Sequence, residues 1–449
     1  MRRFSLLVKA VSLAAVLLVL MMGLSMIGGL ANERVAYRAQ AAASIEGSLA
    51  GAQTLAGMVL TRRCVETFET TVIKDKEKTV ERSEVRTVLR SLPQSSSWTT
   101  ESKIEPRYRG LYKVNSYALN AEEVVDWRTA RDLAVLPLKA PAVAVRCDAP
   151  LIEFTVTDPR GIRAVRLRGP NGDLEVKPST NGGTFNRGFE AKLPVAESAL
   201  DAPLRLRLVV DLVGIESVGF VPLAVDNTVT LKSDWPHPSF GGEFLPLTRT
   251  VSAQGFDARW SVSSLAAQAR SQLGSSAAGC AQARSSTKGC LQSFGVDFID
   301  PVNPASLSDR ATKYGILFIV LTFAGIVLLE VLKGQAVHPV QYLLIGAAMA
   351  VFFLLLLSLS EHIAFIKAYV TAALACVALL TVYAKAVLGG WQRALPMSAG
   401  LAVLYGVLYL VLQSEQHALL AGSLLVFAVL AGVMLLTRHV KWGGLNEGA

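Results

Sequence analysis

The residues best suited to hold an ion or move a proton in this chain are Asp309, Arg310, Lys313, Glu361, His362, Lys367, Glu415 and His417. All of them border apolar runs. Glu361, His362, Glu415 and His417 carry the carboxylate and imidazole groups that suit zinc. The wider set could instead form an ion-paired cap under a folded domain, or the polar mouth of a path. The plain alternative is interfacial charge in contact with water. Glu330 is the most deeply placed acid, about one turn inside the end of its apolar run. An acid there is a functional candidate, but Lys333, three residues on, and the nearby interface let it pair or snorkel. His237, between Pro236 and Pro238, is a candidate base, although a lone loop histidine more often packs or hydrogen-bonds. The chain has no Gly-x-Ser-x-Gly elbow, P-loop, His-Glu-x-x-His or Cys-x-x-Cys, and no Gly-x-Gly-x-x-Gly after a strand. No catalytic residue, cofactor site or metal site is therefore assigned, and no enzymatic activity is expected.

The elements that must position these residues are apolar runs at 316–332, 342–359, 368–388, 395–412 and 419–436. Each is close to the ~20 residues a helix needs to cross a ~30 Å hydrocarbon core. A further uncharged run at 10–31 follows Arg2, Arg3 and Lys9. A basic start and an apolar stretch also describe a cleavable signal peptide, with Gly29-Leu30-Ala31 as a loose cleavage site. This run is longer than a ~7–15-residue signal core, which favours an uncleaved anchor. Six spans result. Arg2, Arg3, Lys9, Lys333, Lys385, Arg393, Arg438 and Lys441 then gather on one side, while the opposite hinges carry Glu361 and Glu415 with Lys367. That asymmetry puts both termini inside and the candidate residues, Glu330 apart, at the outer face. Pro339 and Pro396 fit helix starts, and Gly346-x-x-x-Ala350 permits close helix packing.

A length of 449 residues with 52% apolar content allows such a bundle plus one or two folded domains. The net charge of +9 does not mark a nucleic-acid binder, because the basic residues flank apolar runs or mix with acids through residues 60–210. Cys64, Cys147, Cys280 and Cys290 lie in the hydrophilic middle, and Cys376 lies in an apolar run. An oxidising compartment would permit pairing. Cys280 and Cys290 are close in sequence, and a bridge there would stabilise by roughly 2–3 kcal/mol. Cys64 with Cys147 is then the leftover pair, and four free thiols are the alternative.

Residues 32–55 read as a helix extending the first span. After them, β-branched runs at 58–61, 79–89, 110–119, 151–157, 163–168, 173–176, 204–212, 218–224 and 228–231 read as strands of a sandwich-like or curved antiparallel sheet. Asp158-Pro159-Arg160-Gly161 fits a type I turn, and Asn171-Gly172 suits a tight hairpin. The alternating charges at 74–78 and 81–86 read as a solvated hairpin face. In 233–246 three prolines and two glycines forbid a regular helix or central strand. Yet Trp235, Phe240, Phe244 and Leu245 must be covered by the sheet, the membrane top or a partner.

That segment, residues 255–260, the stretch 309–323 that opens Asp309-Arg310-Ala311-Thr312-Lys313-Tyr314-Gly315, the stretch 338–346 that opens His338-Pro339-Val340-Gln341-Tyr342, Leu359-Ser360-Glu361-His362 and Thr437-Arg438 resemble the CreD family of bacterial inner-membrane proteins. The match keeps its order along almost the whole chain, loosest at 163–207 and 271–289. The resemblance implies a large periplasmic domain, expression tied to a sensor-kinase and response-regulator pair, and association with envelope integrity, E-type colicin tolerance and β-lactam response. It brings no catalytic residues. The expected fold is a six-helix α-helical membrane bundle with an all-β, sandwich-like periplasmic domain inserted between helices 1 and 2. Its parts are a cytoplasmic start at 1–9, a transmembrane helix at 10–31, the β domain at 32–310, a five-helix bundle at 311–437 and a cytoplasmic tail at 438–449. The expected role is non-enzymatic. The β domain, docked through Trp235, His237, Phe240 and Phe244, meets an envelope protein or cell-wall partner, and the bundle meets the lipid bilayer. A transporter or permeability modulator and a membrane-bound envelope hydrolase are the alternatives. No oligomeric state is indicated.

Overall fold

The computed structural model describes residues 2–74, 77–135, 142–179, 188–273, 291–300, 304–333, 337–388, 390–413 and 418–438. It divides into a helical unit, Met1–Ala39 with Val302–Ala449, and a β unit, Gln40–Pro301.

The β unit holds β1 (Gln53–Lys74), β2 (Glu77–Ser91), β3 (Ser95–Arg109), β4 (Tyr112–Trp127), β5 (Ala142–Cys147), β6 (Leu151–Val156), β7 (Ile162–Gly169), β8 (Gly172–Leu174) and β9 (Val176–Pro178). It continues with β10 (Gly188–Lys192), β11 (Leu204–Ile215), β12 (Ser217–Phe220), β13 (Asp226–Ser233), β14 (Pro238–Gly242), β15 (Thr248–Ser252), β16 (Gly255–Ser263) and β17 (Phe294–Phe298). One sheet runs β14-β17-β12-β1-β6-β10-β9, with β2 and β5 also on β1; the other runs β15-β16-β13-β3-β4-β11-β7-β8. Period-two alternation builds both. In β11 every second residue from Leu204 to Leu212 is buried, and in β4 Tyr117, Leu119, Ala121, Val125 and Trp127 form the matching row. They share one core with Leu55, Met58, Leu60, Ile152 and Phe154 of the other sheet.

Most expected strands form. β3 was not legible, because its buried positions are Ser96, Trp98, Thr100 and Ser102 rather than an apolar row. The turn at Asp158 forms, with Gly161 N–H donating to Asp158 O at 3.1 Å. The hairpin at Asn171-Gly172 also forms, but only Gly172 has positive φ (118°). Its two loop residues are Pro170 and Asn171, and the fixed φ of proline excludes the turn with two positive φ angles. Cys64 and Cys147 are opposed in the β1–β5 register and form a disulfide. Cys280 and Cys290, the pair that proximity suggested, lie outside the described residues.

The helices are α1 (Arg2–Ser48), α2 (Ala269–Gln272), α3 (Pro304–Lys333), α4 (Pro339–Ser360), α5 (Phe365–Leu388), α6 (Trp391–Gln413) and α7 (Ala418–Thr437). Five of them, not the expected six, are long and apolar enough among the described residues to cross a membrane. The sixth run lies on α7, whose qualifying apolar stretch is Gly422–Gly432, roughly half a bilayer core in length. Pro396 does not start α6; it lies inside. Ala394 N–H already donates to Gly390 O, and Lys385 stacks 4.5 Å over the Trp391 ring, so the helix begins earlier. Pro339 does sit in the first turn of α4, after a capping box at His338.

The first span belongs to the bundle. Leu20 and Leu24 of α1 are buried with Phe318, Phe323 and Phe353. A Cβ at Gly346 would overlap Leu20, so the small residue there seats α1. At its far end α1 leaves the helical path at Ser48, sooner than residue 55. Gly51 N–H donates to Asp158 Oδ2 at 2.9 Å, and the Gln53 amide donates to Asp158 O and Val213 O. Those bonds turn the chain into β1.

Two outcomes follow from this packing. G346L should displace α1: the disulfide expected in a G28C/T312C protein, whose positions adjoin, should form in the parent bundle and be lost with Leu at 346. C147S should lower the unfolding free energy of the β unit by about 4 kcal/mol, since the bridge closes a loop of sequence separation 83. Denaturant titration with and without reductant measures it.

Candidate functional site

In the helical unit α3 carries Glu330 into a clasp of three elements. Glu330 accepts from Tyr342 Oη at 3.0 Å and Val337 N–H at 3.1 Å, and it forms a part-buried ion pair with Lys9 of α1. The sequence pointed to Lys333; the partner found is remote in sequence. Arg34, further along α1, pairs with Glu361, the C-cap of α4, at 3.1 Å. His362 and Lys367 are exposed, as is Lys313, and Arg310 is half-buried. Glu415 and His417 lie outside the described residues, and with them the four-residue zinc set that they would complete. Among the described residues no group of three His, Cys, Asp or Glu side chains could hold a metal.

Sequence reading missed a set of polar contacts between α5 and α6. Tyr369 Oη donates to Tyr405 O at 2.6 Å, the Cys376 thiol lies 3.2 Å from Tyr405 Oη, and Thr381 donates to Ser398 at 2.7 Å. Phe352 of α4 packs edge-on against both tyrosine rings. Buried Leu380 and Leu401 lie between the two groups in sequence.

In the β unit, the aromatics of the proline- and glycine-rich segment are covered by the sheet, the first of the three covers the sequence allows, whereas Leu245, expected to need cover with them, is 67% exposed. β14 pairs with β17. Trp235 Nε1 donates to His237 O at 3.0 Å and Ile299 O at 3.1 Å, with Lys113 5.3 Å above the ring. Phe240 meets Phe256 and Trp260 edge-on at 5.5 and 5.8 Å, and Phe244 meets Phe294 at 6.0 Å. These aromatics are partly buried against the core. His237 is exposed, its ring edge-on to Trp235.

The least ordinary group is one that the sequence reading passed over. Glu123 stands in the inward row of β4 between Ala121 and Val125, and it is 1% exposed. Its Oε1 accepts from Ser96 Oγ at 2.8 Å, and the backbone of Met58 in the opposite sheet also bonds to the carboxyl. Oε2 has no hydrogen-bond partner. Gly57, at φ 77°, makes the room: a Cβ there would stand 2.7 Å from Oε1. Burial pushes the Glu123 carboxyl up to about 8, against the smaller opposing pull of Ser96 and Met58. The group is thus a neutral acid at pH 7, joining two sheets. Strict alternation through Tyr117, Leu119, Ala121, Val125 and Trp127 was the signal that could have placed it inside.

Apolar helices that lie on both sides of a folded hydrophilic unit in the chain define a multi-pass membrane protein with one large inserted domain. The family described as Inner membrane protein CreD matches residues 5–443. Inner membrane protein CreD of Escherichia coli (strain K12) is 33% identical over 436 residues, covering 97% of this chain and 93% of that one. The chain belongs to the CreD family and is a multi-pass inner-membrane protein.

Because the folded-state carboxyl of Glu123 titrates above its ordinary 4.5, the folded state holds the extra proton and stability falls as pH rises from about 4.5 to about 8. Above that the full penalty is present. E123Q should flatten this slope and raise the melting temperature of the β unit more at about pH 8.5 than at about pH 5. Thermal unfolding followed by tryptophan fluorescence checks it; an unchanged slope would assign the titration to another group.

Proposed function

We propose that this chain holds its β unit on the periplasmic side of the inner membrane, on six spans with both termini in the cytoplasm. From there it contributes to envelope integrity as a non-enzymatic protein that meets an envelope protein or cell-wall component. The observation that carries the reading is the Cys64–Cys147 bridge, because such bonds persist in oxidising compartments such as the periplasm. The asymmetry of lysine and arginine around the apolar runs favours the same orientation. The two ties of α1 at Lys9 and Arg34 are separated along the helix by roughly a bilayer core, which supports α1 as a span. α7, a helix of 20 residues, supplies the sixth span in this reading. Control by a two-component system and a part in colicin tolerance are what membership of the family suggests for this chain.

The non-enzymatic reading draws support from the polar groups themselves. Glu330 and Cys376 are bonded into the packing, and the ring of His237 lies against Trp235. A transporter has one observation in its favour, the α5–α6 contacts, and buried leucines interrupt them.

Alkaline phosphatase inserted at Gly110, in the β3–β4 turn, should be active, while green fluorescent protein fused at the C-terminus should fluoresce. Fluorescence from a reporter at Gly110 instead would place the β unit in the cytosol and end the proposal. Cells lacking the chain should regain detergent resistance with the whole protein and not with the helical unit alone; rescue by the helical unit would remove the β unit from the role.

A further inference from the structure

Past the disulfide, β1 and β2 run on as a two-stranded ribbon. β5 accompanies β1 only to Phe68, while the β1–β2 ladder continues to Lys74 and Glu77. Among the described residues no strand pairs with the outer edge of β2. Two strands alone are marginally stable in water, and an unpaired edge is a template for another chain. Edges are commonly blunted by lysine, which repels a second copy. This edge is different. Glu81-Arg82-Ser83-Glu84-Val85-Arg86 is exposed throughout and alternates in sign about Ser83.

We propose that the β2 edge is a self-association surface, on which β2 of a second copy of this chain pairs antiparallel about Ser83. The two ribbons then make a four-stranded sheet across a twofold axis. An axis normal to the sheet keeps every side chain on its own face, so opposed residues must share sequence parity. Centred on Ser83, that rule sets Arg82 against Glu84 of the second copy, Glu84 against Arg82, and Glu81 against Val85. Two ion pairs form and no like charges meet. Centred on Arg82, the arginine faces itself; centred on Glu84, that acid faces itself and Arg82 faces Arg86. Centring on Val85 would draw in residues 87–90, which are already half-buried. Within one ribbon Arg82 Nε bonds to Glu69 at 2.7 Å, which steadies the side chain. Val80 and Val85, 54% and 49% exposed, are the apolar surface the pairing would cover.

The test uses the full chain in membranes, with Cys280→Ser and Cys290→Ser, so that the one cysteine left outside the Cys64–Cys147 bridge is the buried Cys376. Under mild oxidation S83C should give a covalent dimer, and L111C, on an exposed turn, should not. In the S83C background, E84R alone and R82E alone should each cut the dimer yield about tenfold by opposing like charges. Differently tagged E84R and R82E proteins expressed together should recover the yield as the mixed dimer only, which also shows that both variants fold. Absence of the S83C dimer, an equal yield from L111C, a stronger crosslink from V85C, or a yield indifferent to E84R would each overturn the pairing.

Discussion

The ion pair between Lys9 and Glu330 is the contact on which the helical unit depends. A carboxylate left alone among apolar helices is costly, and this one is held in a part-buried pair. The pair therefore commits the first helix to the third and, through Tyr342, to the fourth. Leu20 over Gly346 and Arg34 on Glu361 continue the commitment along the same helix. A segment held in this way packs as a member of the bundle.

The same helix ends inside the β unit. Ile45 packs with Val114 and Ile215, and Arg160 donates to Gly47 O at 2.8 Å. Asp158 links that end to β1, and its carboxyl lies below the usual range: burial pushes it up, but hydrogen bonds from Arg160 and Gly51 N–H outweigh that effect. Deeper in, Glu123 accepts a bond from the facing sheet where an apolar residue would serve packing alone. A buried neutral acid of this kind costs stability and gains directionality, since only one stagger of the two sheets sets Met58 beside it, while the β3–β4 register supplies Ser96.

Much of this architecture can be read from residue patterns. Apolar runs of bilayer length and alternation in β4 and β11 are strong signals because burial enforces them residue by residue. The helix through 32–48 and the turns at Asp158 and Asn171 follow from local chemistry. What could not be read depends on partners remote in the chain. Nothing near Glu330 names Lys9, nothing near Cys64 names Cys147, and β3 hides its inward face behind serine and threonine. Trp235, Phe240 and Phe244 announce that they need cover, but only the pairing of β14 with β17 says where the cover is. Glu123 was missed for the opposite reason, since a charged letter in a strand is ordinarily taken to face water.

The order of strands also has a consequence for timing. β1 lies beside β12, β12 beside β17, and β17 beside β14, while β3 finds a parallel neighbour in β13. The first sheet therefore cannot close until Phe298 has been synthesised, only a few residues before the next apolar helix starts at Pro304. Until then hairpins such as β1–β2 and β3–β4 can pair, but the first sheet lacks its last strand. Its assembly is thus tied to the arrival of the membrane helices, and the interval before that is when proteases and chaperones compete for it.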